Sequence, residues 1–286
     1  MKKESDWLYE ITPHQSLFSL RLGEVWRYRD LLFLFVKRDI ITVYKQTILG
    51  PLWFLIQPVI TSIVQFFVFG KLAGIPSDGL PYFLFALAGN TLWFYFSTSF
   101  SATSGTFRSN QNLFGKVYFP RVIMPISATI SNLFKFGIQF LFFVLTIVYF
   151  KYKGFEIHPN LHILLLPLLL LAMALISLGL GMIISAMTSK YRDLSFLVSF
   201  GVQLFMYVTP VVYPASLILK KLPENLKILV YLNPLTGILE TFKYAFLGQG
   251  AYSVFGLVYS LIFGLSIFFF GLIVFNRIER KFIDTV

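Results

Sequence analysis

A lysine inside a long apolar run is the first residue of this sequence that could do chemistry. Lys135 stands between Asn132 and Gln139, at spacings of three and four that put the three side chains on one side of a helix. Ionisable groups inside a membrane are costly and are usually functional. No acid lies in any other long apolar run, which disfavours a proton relay. Two roles stay open: Lys135 lines a channel, or it extends toward an interface and bonds to a neighbouring helix.

Metal and enzyme chemistry find little support in the sequence. His158 and His162 flank Pro159 in a predicted loop with Glu156 as the nearest acid, whereas a zinc site normally needs four ligands. Neither a G-x-x-x-x-G-K-[ST] phosphate loop nor an H-E-x-x-H motif occurs. We therefore predict no metal site, no cofactor in this chain and no catalytic residue. The chain is therefore either a passive or structural membrane protein, or a protein whose energy is supplied by a separate partner.

The composition indicates which elements position these residues. Of 286 residues 57% are hydrophobic and 13% are charged, against roughly 45–50% and 25% in soluble domains. This predicts an all-α integral membrane protein. The net charge of +11 then reports cytoplasmic loops and contact with anionic lipid rather than nucleic acid. Six runs long enough for transmembrane helices lie at about 51–72, 80–104, 122–150, 161–187, 194–214 and 252–276.

Three parts follow along the chain: a cytoplasmic N-terminus (1–48), a transmembrane domain (49–276) and a cytoplasmic tail (277–286). With both termini inside, sixteen Lys and Arg lie on the cytoplasmic side and seven outside, which favours this orientation. The segment SLRLGEVWRYRDLLFLFVKRD alternates cations with Trp, Leu and Phe. This pattern predicts an amphipathic helix in the membrane interface, although an ordinary soluble helix would also carry charges.

Two connecting segments carry unusual patterns. FGKVYFPRVIMPIS, with Lys116 and Arg121, is too polar to span and predicts an exposed interfacial helix that binds a cytoplasmic partner. The region at about 212–250 is interrupted by prolines and predicts short re-entrant helices between the fifth and sixth spans. Within it, Glu240 and Lys243 are three residues apart on one helix side and can pair.

Five stretches resemble the transmembrane permeases of bacterial ABC exporters for lipid-linked polysaccharides, the O-antigen and teichoic-acid export family. They are RDLLFLFVKRDIITVYKQTILGPLWFLIQP, NLFGKVYFPRVIMPIS, KYRDL, TPVVYP and NPLTGILETFKYAFLGQG. The resemblance implies a homodimer in the bacterial inner membrane, with two copies of a separate ABC ATPase that binds ATP and Mg. It implies an undecaprenyl-diphosphate-linked glycan as the cargo, exported through a channel at the homodimer interface.

The resemblance also assigns residues to roles. It implies a coupling helix at about 112–124 and a second ATPase contact near 190, which together comprise Lys116, Val117, Tyr118, Phe119, Arg121, Lys190, Arg192 and Asp193. Built on it, we predict that Lys37, Arg38 and Lys45 capture the lipid diphosphate, with simple attraction to anionic lipid as the alternative. The predicted glycan channel comprises Trp93, Tyr95, Phe96, Phe100, Lys135, Tyr207 and Tyr213. The alternative for these aromatic residues is packing against lipid.

Three rival functions stay open on the sequence alone. An ABC permease for small hydrophobic molecules or drugs would share the six-helix plan. An integral-membrane glycosyl or lipid transferase would need positioned carboxylates, whereas Asp30, Asp39 and Asp193 each lie near an Arg. A structural membrane protein would have no ATPase partner.

Overall fold

The computed structural model describes residues 22–45, 49–117, 119–191 and 193–283, and this part of the chain is helical without a strand. The helices are α1 (Leu22–Arg27), α2 (Arg29–Tyr44), α3 (Trp53–Gln65), α4 (Tyr82–Ser104), α5 (Thr106–Ser109), α6 (Gln111–Phe114), α7 (Ile123–Tyr152), α8 (Leu166–Thr188), α9 (Leu194–Val208), α10 (Ala215–Lys221), α11 (Glu224–Leu232), α12 (Pro234–Leu247) and α13 (Val254–Ile283). The all-helical prediction is confirmed for these residues.

Four helical segments of the described chain are long and apolar enough to cross a membrane. They are Gly50–Leu72, Ile123–Tyr152, Leu161–Thr188 and Val254–Ile278. The first combines a 3-10 turn, α3 and a π-helical end, and Gly50 at φ +51° makes the sharp turn that leads into it. These segments coincide with the first, third, fourth and sixth predicted spans.

The predicted second span, α4, lies inside the protein rather than against lipid. Most of its 23 residues are buried. Asn90 Nδ2 donates to Ser62 Oγ at 2.7 Å and to Gln65 Oε1 at 2.9 Å, both on α3. Helices packed among other helices carry such polar side chains because neighbouring helices satisfy them. α4 therefore has the length of a span without the apolarity of the four others, and its crossing stays a prediction.

The predicted fifth span is shorter than expected. The sequence predicts a span over 194–214, whereas α9 ends at Val208 after 15 residues, about 22 Å of helix. Thr209 adopts extended backbone, as a residue before a proline commonly does, and Pro210 follows it. Fifteen residues do not by themselves cross a hydrocarbon core of about 30 Å. Six spans are therefore not confirmed.

α2 lies against the bundle on one side. Phe35 of α2 is buried, and its ring centroid is 5.7 Å from that of Phe119, at the start of the polypeptide that enters α7. Its other side exposes Phe33 and Leu34, by 64% and 61%. A helix that packs on protein and also presents an apolar pair is compatible with the predicted interfacial position, which stays a prediction.

The region at about 212–250 forms three short helices, α10, α11 and α12, each too short to cross a membrane. Prolines precede or begin each of them. α12 is largely buried. The division into short helices agrees with the sequence pattern, and their depth in the membrane stays a prediction.

Candidate functional site

The predicted coupling segment, residues 112–124, is mostly turn rather than helix. α6 ends at Phe114, and α7 begins at Ile123. Lys116 and Val117 are exposed, Val117 by 53%. Phe119 was predicted to be exposed, but it is 3% exposed, because its ring packs against Phe35 and Phe114. Among the described residues of the segment, only the first part therefore offers a surface to a partner.

Arg121 is also buried, contrary to the sequence prediction. It is 6% exposed, and its guanidinium carbon lies 5.0 Å from the centroid of the Phe114 ring. A cation over an aromatic face in a desolvated site is held in place. Arg121 therefore shapes the turn between α6 and α7 instead of presenting its charge to a partner.

The second predicted contact lies at the same end of the bundle. Thr188 Oγ1 of α8 donates to the Ser104 carbonyl of α4 at 3.1 Å, and Arg108 donates to Ser195 Oγ at 3.1 Å. Lys190 and Tyr191 are exposed, and Asp193 accepts a hydrogen bond from the Leu194 N–H at the start of α9. Asp193 therefore has a helix-capping role in this structure. Tyr118 and Arg192 lie outside the described residues.

The three cations of the predicted diphosphate site differ in their surroundings. Arg38 binds Asp39 at 2.7 Å and lies 4.8 Å from the centroid of the Phe35 ring. Lys37 and Lys45 are exposed. Lys45 directly follows α2, eight residues after Lys37 and about 12 Å further along the helix axis. The structure therefore does not gather the three charges into one cluster, and the two lysines are the accessible members.

The aromatic residues predicted for a glycan channel are mostly core residues. Trp93, Tyr95, Phe96 and Phe100 of α4 are all buried. They pack against one another and against neighbouring helices, with Phe96 and Phe205 centroids 6.3 Å apart. Tyr207 is 54% exposed. The Tyr213 hydroxyl donates a hydrogen bond to the Tyr207 carbonyl at 2.9 Å. Exposed aromatic rings for a channel are therefore scarce on α4, because α4 is the central helix.

Trp93 and Tyr207, two residues of the predicted channel, line a groove whose other walls the sequence did not predict. Its volume is about 550 Å³, and it runs between α3, α4 and α9. Each helix contributes a pair of polar residues four apart, which are Gln57 and Thr61, Ser97 and Ser101, and Ser199 and Gln203. This i, i+4 spacing places each pair on one helix face. The spacing was present in the sequence, but nothing there showed that the three faces meet.

Lys135 lies in a separate cavity beside this groove. The cavity, about 160 Å³, is bounded by α3, α4 and α7, and it shares Gln57, Phe94 and Thr98 with the groove. Asn132 donates to Ser99 Oγ at 3.2 Å, so it ties α7 to α4. The structure thus brings Lys135, Asn132 and Gln139 to one side of a helix as predicted. Lys135 itself is not among the groove residues.

The Glu240–Lys243 pair predicted from the sequence is formed. Lys243 Nζ lies 3.2 Å from Glu240 Oε1 and donates to the Pro210 carbonyl at 2.6 Å. Glu240 Oε2 accepts from the Ala251 N–H at 2.8 Å. Both residues are about 1% exposed. The pair therefore joins α12 to the loop after α9 and to the loop before α13.

His162 takes part in packing. The His162 ring contacts Tyr244 and Tyr252, with centroids 5.1 and 4.9 Å away, and its Nδ1 lies 3.0 Å from Asn160 Oδ1. Within residues 22–45, 49–117, 119–191 and 193–283, no group of three or more potential ligands could hold a metal ion.

These features describe a helical protein with four segments long and apolar enough to cross a membrane, and comparison with known proteins gives its class. The model of the ABC-2 type transporter family matches residues 30–247. The chain therefore belongs to the ABC-2 type transporter family, whose members work with an ABC ATPase. The match covers the described bundle from α2 to α12.

The relatives narrow the class further. The O-antigen export system permease protein RfbA of Klebsiella pneumoniae is 27% identical over 257 residues, 89% of this chain and 94% of the relative. RfbA of Myxococcus xanthus is 29% identical over 224 residues, 78% and 82% of the two chains. The polysialic acid transport protein KpsM of Escherichia coli is 23% identical over 251 residues, 87% and 93%. The chain is thus similar to polysaccharide export permeases over most of its length.

Proposed function

We propose that this chain is the membrane subunit of an ATP-driven exporter that moves a polysaccharide linked to undecaprenyl diphosphate across the bacterial inner membrane. The observation that carries the proposal is the polar groove between α3, α4 and α9. A sugar chain needs hydroxyl and amide partners along its path, and the three polar pairs supply them. The names of the relatives, which are O-antigen export permeases and a polysialic acid transport protein, support the same cargo class.

The groove offers a sugar polymer both hydrogen-bonding groups and ring faces. Serine, threonine and glutamine make up seven of its fourteen lining residues, and the others are aromatic or aliphatic, among them Trp93, Phe200 and Tyr207. Hydrogen bonds to hydroxyls and stacking on rings tolerate many sugar sequences, in the way that strand-binding channels tolerate many bases. A second copy of the chain facing the groove would close it into a channel at a homodimer interface.

The energy comes from a partner in this proposal. Two copies of an ABC ATPase bind ATP and Mg and contact the exposed residues Lys116, Val117, Lys190 and Tyr191. ATP binding favours one arrangement of the ATPases, and the contacts transmit this preference to the two membrane subunits. Both termini lie in the cytoplasm, and the exposed Lys37 and Lys45 attract the lipid diphosphate at the inner leaflet.

Filling the groove tests the cargo path. Gln203→Trp adds a bulky ring to an exposed groove position, so we expect surface polysaccharide to fall at least tenfold while the complex with the ATPase still assembles. The measurement is surface polysaccharide in cells that lack their own permease, beside the yield of purified complex. Leu197→Trp is the matched control, because Leu197 is an exposed position of α9 outside the groove. Normal export by Gln203→Trp would contradict the proposed path.

A charge at the exposed coupling position tests the ATPase contact. Val117→Asp is expected to reduce the ATPase recovered with this chain at least fivefold, because a buried carboxylate would face an apolar contact. Thermal stability should not change, since Val117 is 53% exposed. Phe155→Asp, an exposed apolar position beyond the opposite end of α7, is the control. Unchanged ATPase recovery with Val117→Asp would remove this surface from the proposal.

A further inference from the structure

The Lys135 ammonium forms no ion pair in the described part of the chain. It makes no hydrogen bond or ion pair there, and its Nζ lies 5.6 Å from the centroid of the Phe54 ring. Asp39 lines a second cavity beside Lys135, but its carboxylate is bound by Arg38 at 2.7 Å. Asp39 also attracts Lys135 electrostatically, so one carboxylate serves two cations and one positive charge of the three groups is unbalanced. A half-buried cation in a membrane protein is costly unless an anion reaches it.

A second polar group in the same cavity lacks a partner. Gln139 is 8% exposed, and its Nε2 donates to the Phe54 carbonyl at 3.1 Å. Its Oε1 is buried and has no hydrogen-bond partner among the described residues. An unpaired buried acceptor costs free energy until a donor arrives. Lys135 and Gln139 line the same cavity of about 160 Å³. Gln139 Oε1 has almost no accessible surface there, so the amide must turn for this acceptor to reach a group bound beside Lys135.

The cavity lies at the level where the chain enters its first predicted span. Trp53 and Phe54, the first residues of α3, form one wall. The second cavity, also about 160 Å³, continues on the other side of Lys135 to Asp39 and Ile40 of α2. Trp53 is 53% exposed, and tryptophan is enriched where membrane meets water. The position of Trp53 favours a depth near the lipid head groups for both cavities, and basic pockets between helices bind head groups there.

We propose that the Lys135 cavity binds the head group of a lipid phosphoester that carries a hydroxyl group. The Lys135 ammonium pairs with a phosphate oxygen, and Gln139 Oε1 accepts a hydrogen bond from the hydroxyl. The volume of about 160 Å³ equals roughly five water molecules, which is room for a phosphate and a small hydroxylated group. A resident phospholipid and the sugar-diphosphate end of the cargo share this chemistry. The site stands on its own geometry and does not depend on the proposed export function.

Thermal unfolding of the purified full-length chain in neutral detergent tests the site. Three additions are compared: dioleoyl-phosphatidylglycerol, dioleoylglycerol with the same tails and no phosphate, and sodium phosphate. We expect phosphatidylglycerol to raise the Tm by about 5 °C, and the other two to have no effect. In Lys135→Met this shift should disappear, and in Lys135→Arg it should be kept. Gln139→Met should reduce it.

The control variant is Lys151→Met, which removes an exposed cation from the same helix. It should keep the full shift. A full shift in Lys135→Met, or an equal shift with dioleoylglycerol, would overturn the site, and an unchanged shift in Gln139→Met would overturn the hydroxyl contact. A shift with sodium phosphate alone would overturn the lipid source.

A competition arm separates the two lipid sources. A polyprenyl diphosphate sugar that displaces phosphatidylglycerol at a tenfold lower concentration, as counted by native mass spectrometry, would assign the site to the cargo. No displacement would assign it to a resident phospholipid. Because neither arm measures transport, export can fail while the site is confirmed, and the site can fail while export is confirmed.

Discussion

Lys243→Met is expected to lower the temperature at which half of the detergent-solubilised protein unfolds by roughly 10 °C. The substitution removes the ammonium that binds Glu240 and the Pro210 carbonyl, and it leaves a buried carboxylate without its cation. Breaking a buried ion pair from one side typically costs about 3–5 kcal/mol. Heating followed by size-exclusion chromatography measures the loss.

The stability lost in Lys243→Met arises from the unpaired Glu240 charge rather than from the missing lysine side chain. A second variant separates these two causes. Glu240→Gln with Lys243→Met should recover much of the lost stability, because no net charge stays buried. Lys153→Met, at an exposed position, should leave the unfolding temperature unchanged. If Lys243→Met unfolds at the wild-type temperature, the pair does not hold α12 in place.

Gly271→Ala is expected to destabilise the protein by about 1–3 kcal/mol, although alanine favours helices over glycine. α8 and α13 approach each other here with their backbones in contact. A Cβ on Gly271 would lie 2.9 Å from the Gly179 Cα and would collide with the Gly179 carbonyl oxygen. Backbone cannot rotate away as a side chain can, so the two helices would have to separate. The yield of monodisperse protein and its unfolding temperature report the effect.

Gly137→Ala is the matched control for this prediction. Gly137 lies on α7, and a Cβ there would meet no atom within 4 Å. The same chemical change should therefore be neutral or slightly stabilising at position 137. Equal behaviour of the two variants would show that α8 and α13 do not pack as closely as the structure indicates.

The sequence by itself determined the class of protein and several local features. Apolar runs of membrane length predicted four of the helices that the structure has, because a lipid-crossing segment must satisfy its backbone internally and carry apolar side chains. The spacing of Glu240 and Lys243 predicted their contact, since residues three apart share a helix face. The family motifs predicted the ABC-2 permease class, which the comparison confirmed.

Only the tertiary structure decided which apolar and charged side chains face inward. In a membrane protein, lipid and protein interior are equally apolar, so hydrophobicity does not tell a lipid-facing helix from a central one. This is why α4 was predicted as an ordinary span, although most of its residues are buried. The same uncertainty placed Phe119 and Arg121 at the surface, where packing against Phe35 and Phe114 buries them.

The groove and the Lys135 cavity likewise depend on helices that are far apart in sequence. Helical periodicity showed that Lys135 and Gln139 share a face, and the polar pairs of α3, α4 and α9 were visible at a spacing of four. Periodicity could not show that the Gln139 Nε2 donates to the Phe54 carbonyl while its Oε1 has no hydrogen-bond partner among the described residues. Periodicity defines the faces of each helix, whereas the packing of helices decides which faces meet, and a binding site requires both.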